Sequence, residues 1–280
     1  RDVAVTGVQT CALPISQSFD LLRQNKDYYA RLEKLCQDYQ EATGDPAYIL
    51  SLVTQVYDPA NEMDRTIRVG TQLMQKYPNT VLARQGRLAV ASAMQKINKI
   101  ADAEKLLIAA IADEPDNATA WQRYELLVTV DKRPDAFIKL VEQTLAANAK
   151  QANPAIKNAV AHNLTYALAR KAAERKDHAA VLKHSKDFLE TSGLAHAGEL
   201  IGWAFDSSFA ITNNFDNVAA SIEKYLARLP HTSNPSVTYV ENASKEWTKG
   251  GKQAIRPVEG KKLAEVLTRV SPKTNESQKH

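Results

Sequence analysis

Four histidines stand close together in the second half of the sequence: His162, His178, His184 and His196. Imidazole can act as a general base near neutral pH and is a good zinc ligand. A zinc site on a helix needs ligands one turn apart, as in HxxxH or HExxH, so that two imidazoles share a face. The intervals here are 16, 6 and 12 residues, and no cysteine or carboxylate pair completes a tetrahedral set. A serine nucleophile fares no better, because Ser207-Ser208 and His184 have no third group in the sequence to orient the imidazole. Lys249-Gly250-Gly251-Lys252 has the glycines and cations of a phosphate nest. It lacks the strand before it and the helix after it that a phosphate loop requires, so it reads as a break between helices. No GxGxxG, GxxxxGKS, GxxxxGKT or GxSxG occurs. Cys36 falls on the apolar side of a predicted helix and reads as a small buried hydrophobe, and there is no CxxC. The expectation is of no catalytic set, no metal and no cofactor.

The elements that would position any such groups are helical. The chain has 280 residues, 44% apolar and 24% charged, with only 10 Gly and 11 Pro. Its long runs of Ala, Leu, Lys, Gln and Glu favour helix, since these side chains lose little rotamer freedom there. No stretch approaches the ~18 uninterrupted apolar residues of a membrane span, so the chain reads as soluble. Charge divides unevenly along it. Residues 1–230 hold 27 Lys+Arg against 27 Asp+Glu, and residues 231–280 hold 9 against 5. The repeat body is neutral and the basic excess at the end is thinly spread, so nucleic acid is not an expected partner.

Punctuation fixes the helices. Apolar spacing from Phe19 to Ala42, with Leu22, Tyr28, Tyr29, Leu32, Leu35, Cys36 and Tyr39, gives a first helix with a break near Asn25 and a stop at Thr43-Gly44. Asp45-Pro46 then reads as an N-cap and first turn. A helix over about 46–57 follows, and its partner over about 61–76 ends at Tyr77-Pro78-Asn79. Pro78, Pro115 and Pro154, then Pro230 with Ser192-Gly193 between, each close a pair of helices they cannot continue. The pairs are about 80–97 with 100–113, 117–131 with 134–149, 155–175 with 178–191, and 196–212 with 215–228. Such pairs must stack, because an isolated helix shorter than ~12–15 residues is marginal in water. Val90, Met94, Leu107, Trp121, Tyr124, Leu140 and Tyr166 are the candidate core. After Asn234-Pro235 the periodicity predicts a helix to about Trp247 and another over 258–270. Residues 231–271 are read as a helical cap and 272–280 as a disordered tail.

Within Arg84–Leu145, two segments overlay with a shift of 34 residues. Ala103, Leu107, Ala110 and Pro115 take small, bulky, small and turn positions in a second helix, and Trp121 and Tyr124 take the large positions of a first helix. This pattern resembles the tetratricopeptide (TPR) repeat over about 46–230. Arg87 stands where Trp121 sits one repeat later, Ala91 is answered by Glu125, and the later units are longer than the norm. The resemblance implies an all-α, right-handed solenoid of antiparallel helix pairs over 17–230, with a concave face lined by first helices on which extended peptides lie. In that register Gln85, Ser92, Gln95, Lys96, Thr119, Gln122 and Thr129 face inward, joined in a looser register by Asn163, Tyr166 and Arg170. Their amides and hydroxyls suit an extended peptide backbone. The Lys/Asn pattern of a carboxylate clamp is not reproduced.

Residues 1–16, RDVAVTGVQTCALPIS, resemble the translation of a sequencing-library adapter, most closely from Val5 to Ile15. Such a segment and its Cys11 stand outside fold reasoning, and a native N-terminus with any signal peptide would then be missing. The functional expectation is a non-catalytic scaffold for another protein. A second reading makes the chain the helical C-terminal portion of a larger enzyme, a thioredoxin-like redox protein or a metallopeptidase. A third makes it an oligomerising subunit through Trp203, Phe205 and Phe209.

Overall fold

A computed structural model of the chain describes residues 27–191, 196–227, 235–249 and 256–270. The adapter-like segment, the stretch from Phe19 to Asn25, Ser192-Gly193, Pro230, Gly250-Gly251 and the tail 272–280 lie outside the described residues. Among the described residues every regular element is helical, with 13 α-helices and one π-helical segment. They are α1 (Tyr28–Thr43), α2 (Ala47–Ser51) running into the π segment (Leu52–Tyr57), α3 (Met63–Lys76), α4 (Val81–Lys96) and α5 (Ile100–Asp113). Then follow α6 (Ala118–Val130), α7 (Pro134–Asn148), α8 (Pro154–Glu174), α9 (His178–Thr191), α10 (Ala197–Thr212), α11 (Asp216–Ala227), α12 (Pro235–Thr248) and α13 (Pro257–Val270). The chain divides into two compact units, one running to Asp113 and taking in Asn117–Leu127, the other made of Glu114–Asp116 and the chain from Val128 on.

One turn recurs through the sequence. Asn61, Asn98, Lys132 and Lys176 all adopt a left-handed conformation, with φ of 59°, 62°, 58° and 56°. Each donates its amide to the carbonyl three residues back, and the next residue donates to the carbonyl five back. The longer bonds are Glu62 N to Tyr57 O at 2.9 Å, Lys99 N to Met94 O at 2.8 Å, Arg133 N to Val128 O at 2.7 Å and Asp177 N to Ala172 O at 2.9 Å. That pair of bonds is the Schellman closure, which satisfies the last orphan carbonyls of a helix and reverses the chain within a few residues. Asn213 closes α10 more simply, with one bond to Phe209 O at 2.9 Å. The opposite ends are capped by side chains: Thr80 Oγ1 accepts from Ala83 N, Asn117 Oδ1 from Ala120 N, Asn153 Oδ1 from Ala155 N and Asp177 Oδ1 from Ala180 N.

In the first unit α1 rests on α2, α3 on α4 and α4 on α5. Cys36, Ile49, Leu50, Leu52, Val53, Tyr57, Val69, Leu73 and Ala89 share one core. The predicted helix over 46–57 changes winding half-way. Leu52 and Tyr57 lie five residues apart and are both buried, and the wider π turn brings them to one face. The α3–α4 crossing is close because Gly70 and Gly86 face it: a methyl on Gly70 would overlap Cγ2 of Val90, and one on Gly86 would come to 3.1 Å from Leu73 Cδ2. On α1 the buried stripe is Glu33, Cys36 and Gln40. Leu35 and Tyr39 turn outward instead, and Tyr39 packs edge-on against Tyr48 at 4.5 Å.

In the second unit the consecutive pairs α7–α8, α8–α9, α9–α10, α10–α11 and α12–α13 pack together. Next-but-one helices also touch: α8 with α10, α9 with α11, α10 with α12 and α11 with α13. This sequential pattern is consistent with a helical repeat. One core runs from Ala169 on α8 through Phe188, Phe205 and Tyr225 to Val240 and Val266, so α12 and α13 share it with the preceding pairs. Among the expected core residues, Val90, Leu107, Trp121 and Tyr124 are buried, whereas Met94, Leu140 and Tyr166 are only half-buried. No helix of the described residues is long and apolar enough to cross a membrane.

Candidate protein-binding surface

The first unit carries Gln85, Ser92, Gln95 and Lys96 on α4, and Thr119 and Gln122 on the part of α6 that belongs to it. Gln85, Lys96, Thr119 and Gln122 are exposed, and Ser92 and Gln95 are half-buried. Lys96 is engaged: its Nζ lies 2.8 Å from Oδ1 of Asp58, just past the π segment. Arg87, 34 residues before Trp121, pairs with Asp113 at the end of α5.

The second unit gathers more. Asn163, Tyr166 and Arg170 follow one another on successive turns of α8, and His162 precedes Tyr166 by one turn. The Tyr166 ring stacks on His196 at 4.0 Å and lies 5.9 Å from Trp203 at an interplanar angle of 24°. His162 continues the row, 6.4 Å from His196, and leans on buried Phe188 at 4.6 Å. Four aromatic rings therefore form a ladder between α8 and α10, with His196 held at its start by a left-handed φ of 62°. The Tyr166 hydroxyl donates to Glu199 Oε2. Burial, then the Glu199 carboxylate, push the Tyr166 phenol up to about 12. Burial and the neighbouring His196 hold the His162 imidazole below its ordinary value, and its Nδ1 is buried without a hydrogen-bond partner. Arg170 lies 3.8 Å from Glu174.

This arrangement offers flat π faces, an exposed amide at Asn163 and two charged groups of opposite sign. It can stack against planar groups and bond an extended backbone. Among the described residues no three His, Cys, Asp or Glu side chains form a group that could hold a metal. Ser207 Oγ lies 3.1 Å from His178 Nδ1, and Ser207 is only 2% exposed. Ser208 donates to the Asn214 carbonyl.

No family model, curated protein or solved structure matches the chain. The register implied by the resemblance named Asn163, Tyr166 and Arg170, and His162 and His196 were weighed only as metal ligands. Glu199 and the stacking role of His196 were missed, because they come from a different helix. One signal was available: Glu199 and Trp203 are one helical turn apart and so share a face of α10.

Proposed function

We propose that this chain is a non-catalytic, TPR-like helical scaffold that binds an extended peptide segment of another protein along a face lined by first helices. The observation that carries the reading is the α8 surface, where Asn163 and Arg170 flank a tyrosine stacked between His196 and Trp203. Rigid aromatic rings give contact area at little entropic loss, which is why such residues dominate peptide-binding surfaces. The recurring left-handed turns support the solenoid architecture, since each joins the two helices of a pair in the same way. On this reading Gln85, Ser92, Gln95, Lys96, Thr119 and Gln122 extend the same kind of face, and Lys96 contributes with Asp58 attached.

Display selection of linear peptides against the protein tests the proposal. Selected peptides should bind the wild type and lose affinity when Gln95, Gln122 and Asn163 are changed together to alanine, with the helical circular dichroism unaltered. Each residue is at most half-buried, so the substitutions should leave the core intact. Undiminished affinity in the triple variant would reject the face.

A further inference from the structure

A cleft of about 360 Å³ opens in the first unit between α1 and α3, lined by none of the residues of the proposed peptide face. Its floor is apolar, made by Ile49, Val69 and Leu73, all buried. Polar side chains at helical spacing make its walls: Gln37, Gln40 and Glu41 on α1, with Gln72 and Lys76 on α3 and Tyr77 at its end. A cleft of a few hundred Å³ in which several polar groups converge over apolar side chains is large enough to hold a small molecule.

The hydrogen-bond roles in that wall are already sorted. The Gln40 amide nitrogen donates to the Tyr77 hydroxyl, and the Gln37 amide nitrogen donates to Glu33 Oε1 at 3.4 Å. Both amide oxygens are thereby left as acceptors, and the phenol, having accepted, keeps its own proton to donate. Glu41 has no charged partner among the described residues. Among the described residues Lys76 meets the Tyr77 ring, 5.8 Å from its Nζ, a contact that leaves its N–H donors available. Two amide oxygens and a carboxylate are what an ammonium requires, and an ammonium with a phenol proton is what a carboxylate requires. Gln72 has no hydrogen bond to a described residue and can serve either.

We propose that this cleft binds a free α-amino acid with an apolar side chain. Its ammonium lies against Glu41 and the Gln37 and Gln40 oxygens, its carboxylate against Lys76 and Tyr77, and its side chain on Ile49, Val69 and Leu73. The half-buried Gln40–Tyr77 bond fixes two of the polar contacts before the ligand arrives, which lowers the entropy lost on binding.

Calorimetric titration of the full chain with L-leucine, L-leucine methyl ester and N-acetyl-L-leucine tests the assignment. L-Leucine should bind with a Kd below roughly 10 mM, and each blocked derivative should bind at least about tenfold more weakly. Glu41→Gln and Lys76→Met should each weaken L-leucine by a similar factor, while Lys139→Met on α7 should not. Glu41, Lys76 and Lys139 are exposed, so unchanged circular dichroism is expected of all three variants. No binding of L-leucine, equal binding of either blocked derivative, or indifference to both Glu41→Gln and Lys76→Met would overturn the proposal. Loss of peptide binding in the alanine variants of α4, α6 and α8 bears only on the other surface, so the two readings fail separately.

Discussion

The Glu33 carboxylate takes both terminal nitrogens of Arg68, each at 2.7 Å, and accepts from the Tyr57 hydroxyl at 3.1 Å. Three elements of the first unit meet there: α1, the π segment and α3. Arg65 adds a cation over the Tyr29 ring at 5.3 Å, and Tyr29 packs edge-on against Tyr57 at 5.7 Å. The Arg68 hydrogen bonds hold the Glu33 carboxyl below its ordinary value, outweighing the effect of burial.

That shift has a definite consequence for stability against pH. A carboxylate whose folded value is lowered stabilises the fold fully above the unfolded value of 4.5, and the contribution is lost as pH falls through the lower folded value. Thermal unfolding of the wild type should therefore shift downward below pH 4.5 more than that of Glu33→Gln. At neutral pH Glu33→Gln should cost about 1–2 kcal/mol, near the lower end for charged hydrogen bonds because the Arg68 side chain is half exposed. Equal acid sensitivity of the two proteins would contradict the assignment.

The α3–α4 crossing gives a contrast between two glycines. Gly70→Ala should destabilise by about 1–3 kcal/mol, because its methyl meets the stiff, fully buried Val90. Gly86→Ala meets only the flexible end of Leu73 at 3.1 Å, and alanine's better helix propensity offsets that crowding by up to about 1 kcal/mol. Denaturant unfolding should rank Gly70→Ala well below Gly86→Ala, and the reverse order would show that the helices do not approach through Gly70.

Lysine is a poor residue for the recurring left-handed turn. Lys132 and Lys176 hold φ of 58° and 56°, a conformation that crowds Cβ against the following carbonyl. Lys132→Gly and Lys176→Gly should each raise stability by about 0.5–1 kcal/mol, measured by denaturant midpoint. Loss of stability in both would contradict the Schellman closure of these turns.

Helix existence and ends were legible in the sequence, because they rest on local chemistry. The prediction of 134–149 meets Pro134–Asn148, and that of 100–113 meets Ile100–Asp113. Proline, the Asn and Asp caps and the apolar period each act within one or two turns. What escaped depends on partners far along the chain. Glu33 and Gln40 lie on the inward side of α1 because Arg68 and Tyr77 satisfy them there, and an apolar count assigned that side to Leu35 and Tyr39. The left-handed turns at Lys132 and Lys176 escaped although their bonds are local, since lysine gives none of the warning that glycine does. Of the candidate surface, the register drawn from the TPR resemblance named the α8 residues, while the ladder needs α10.

The Tyr166 environment can be read directly by absorbance. Burial and Glu199 push its phenol up to about 12, from an unfolded value of 10. Its contribution to stability is thus complete below pH 10 and lost as pH rises toward 12. The difference in ultraviolet titration between wild type and Tyr166→Phe should centre near 12, and a midpoint at 10 would place the ring outside the ladder.

Site-specific photo-crosslinking tests the central claim of a peptide-binding face most directly. A benzophenone side chain placed at Asn163 should crosslink a display-selected peptide, and the same group at Asn158, exposed on α8 but about 140° around the helix, should not. Crosslinking from Asn158 alone, or equally from both positions, would contradict the account.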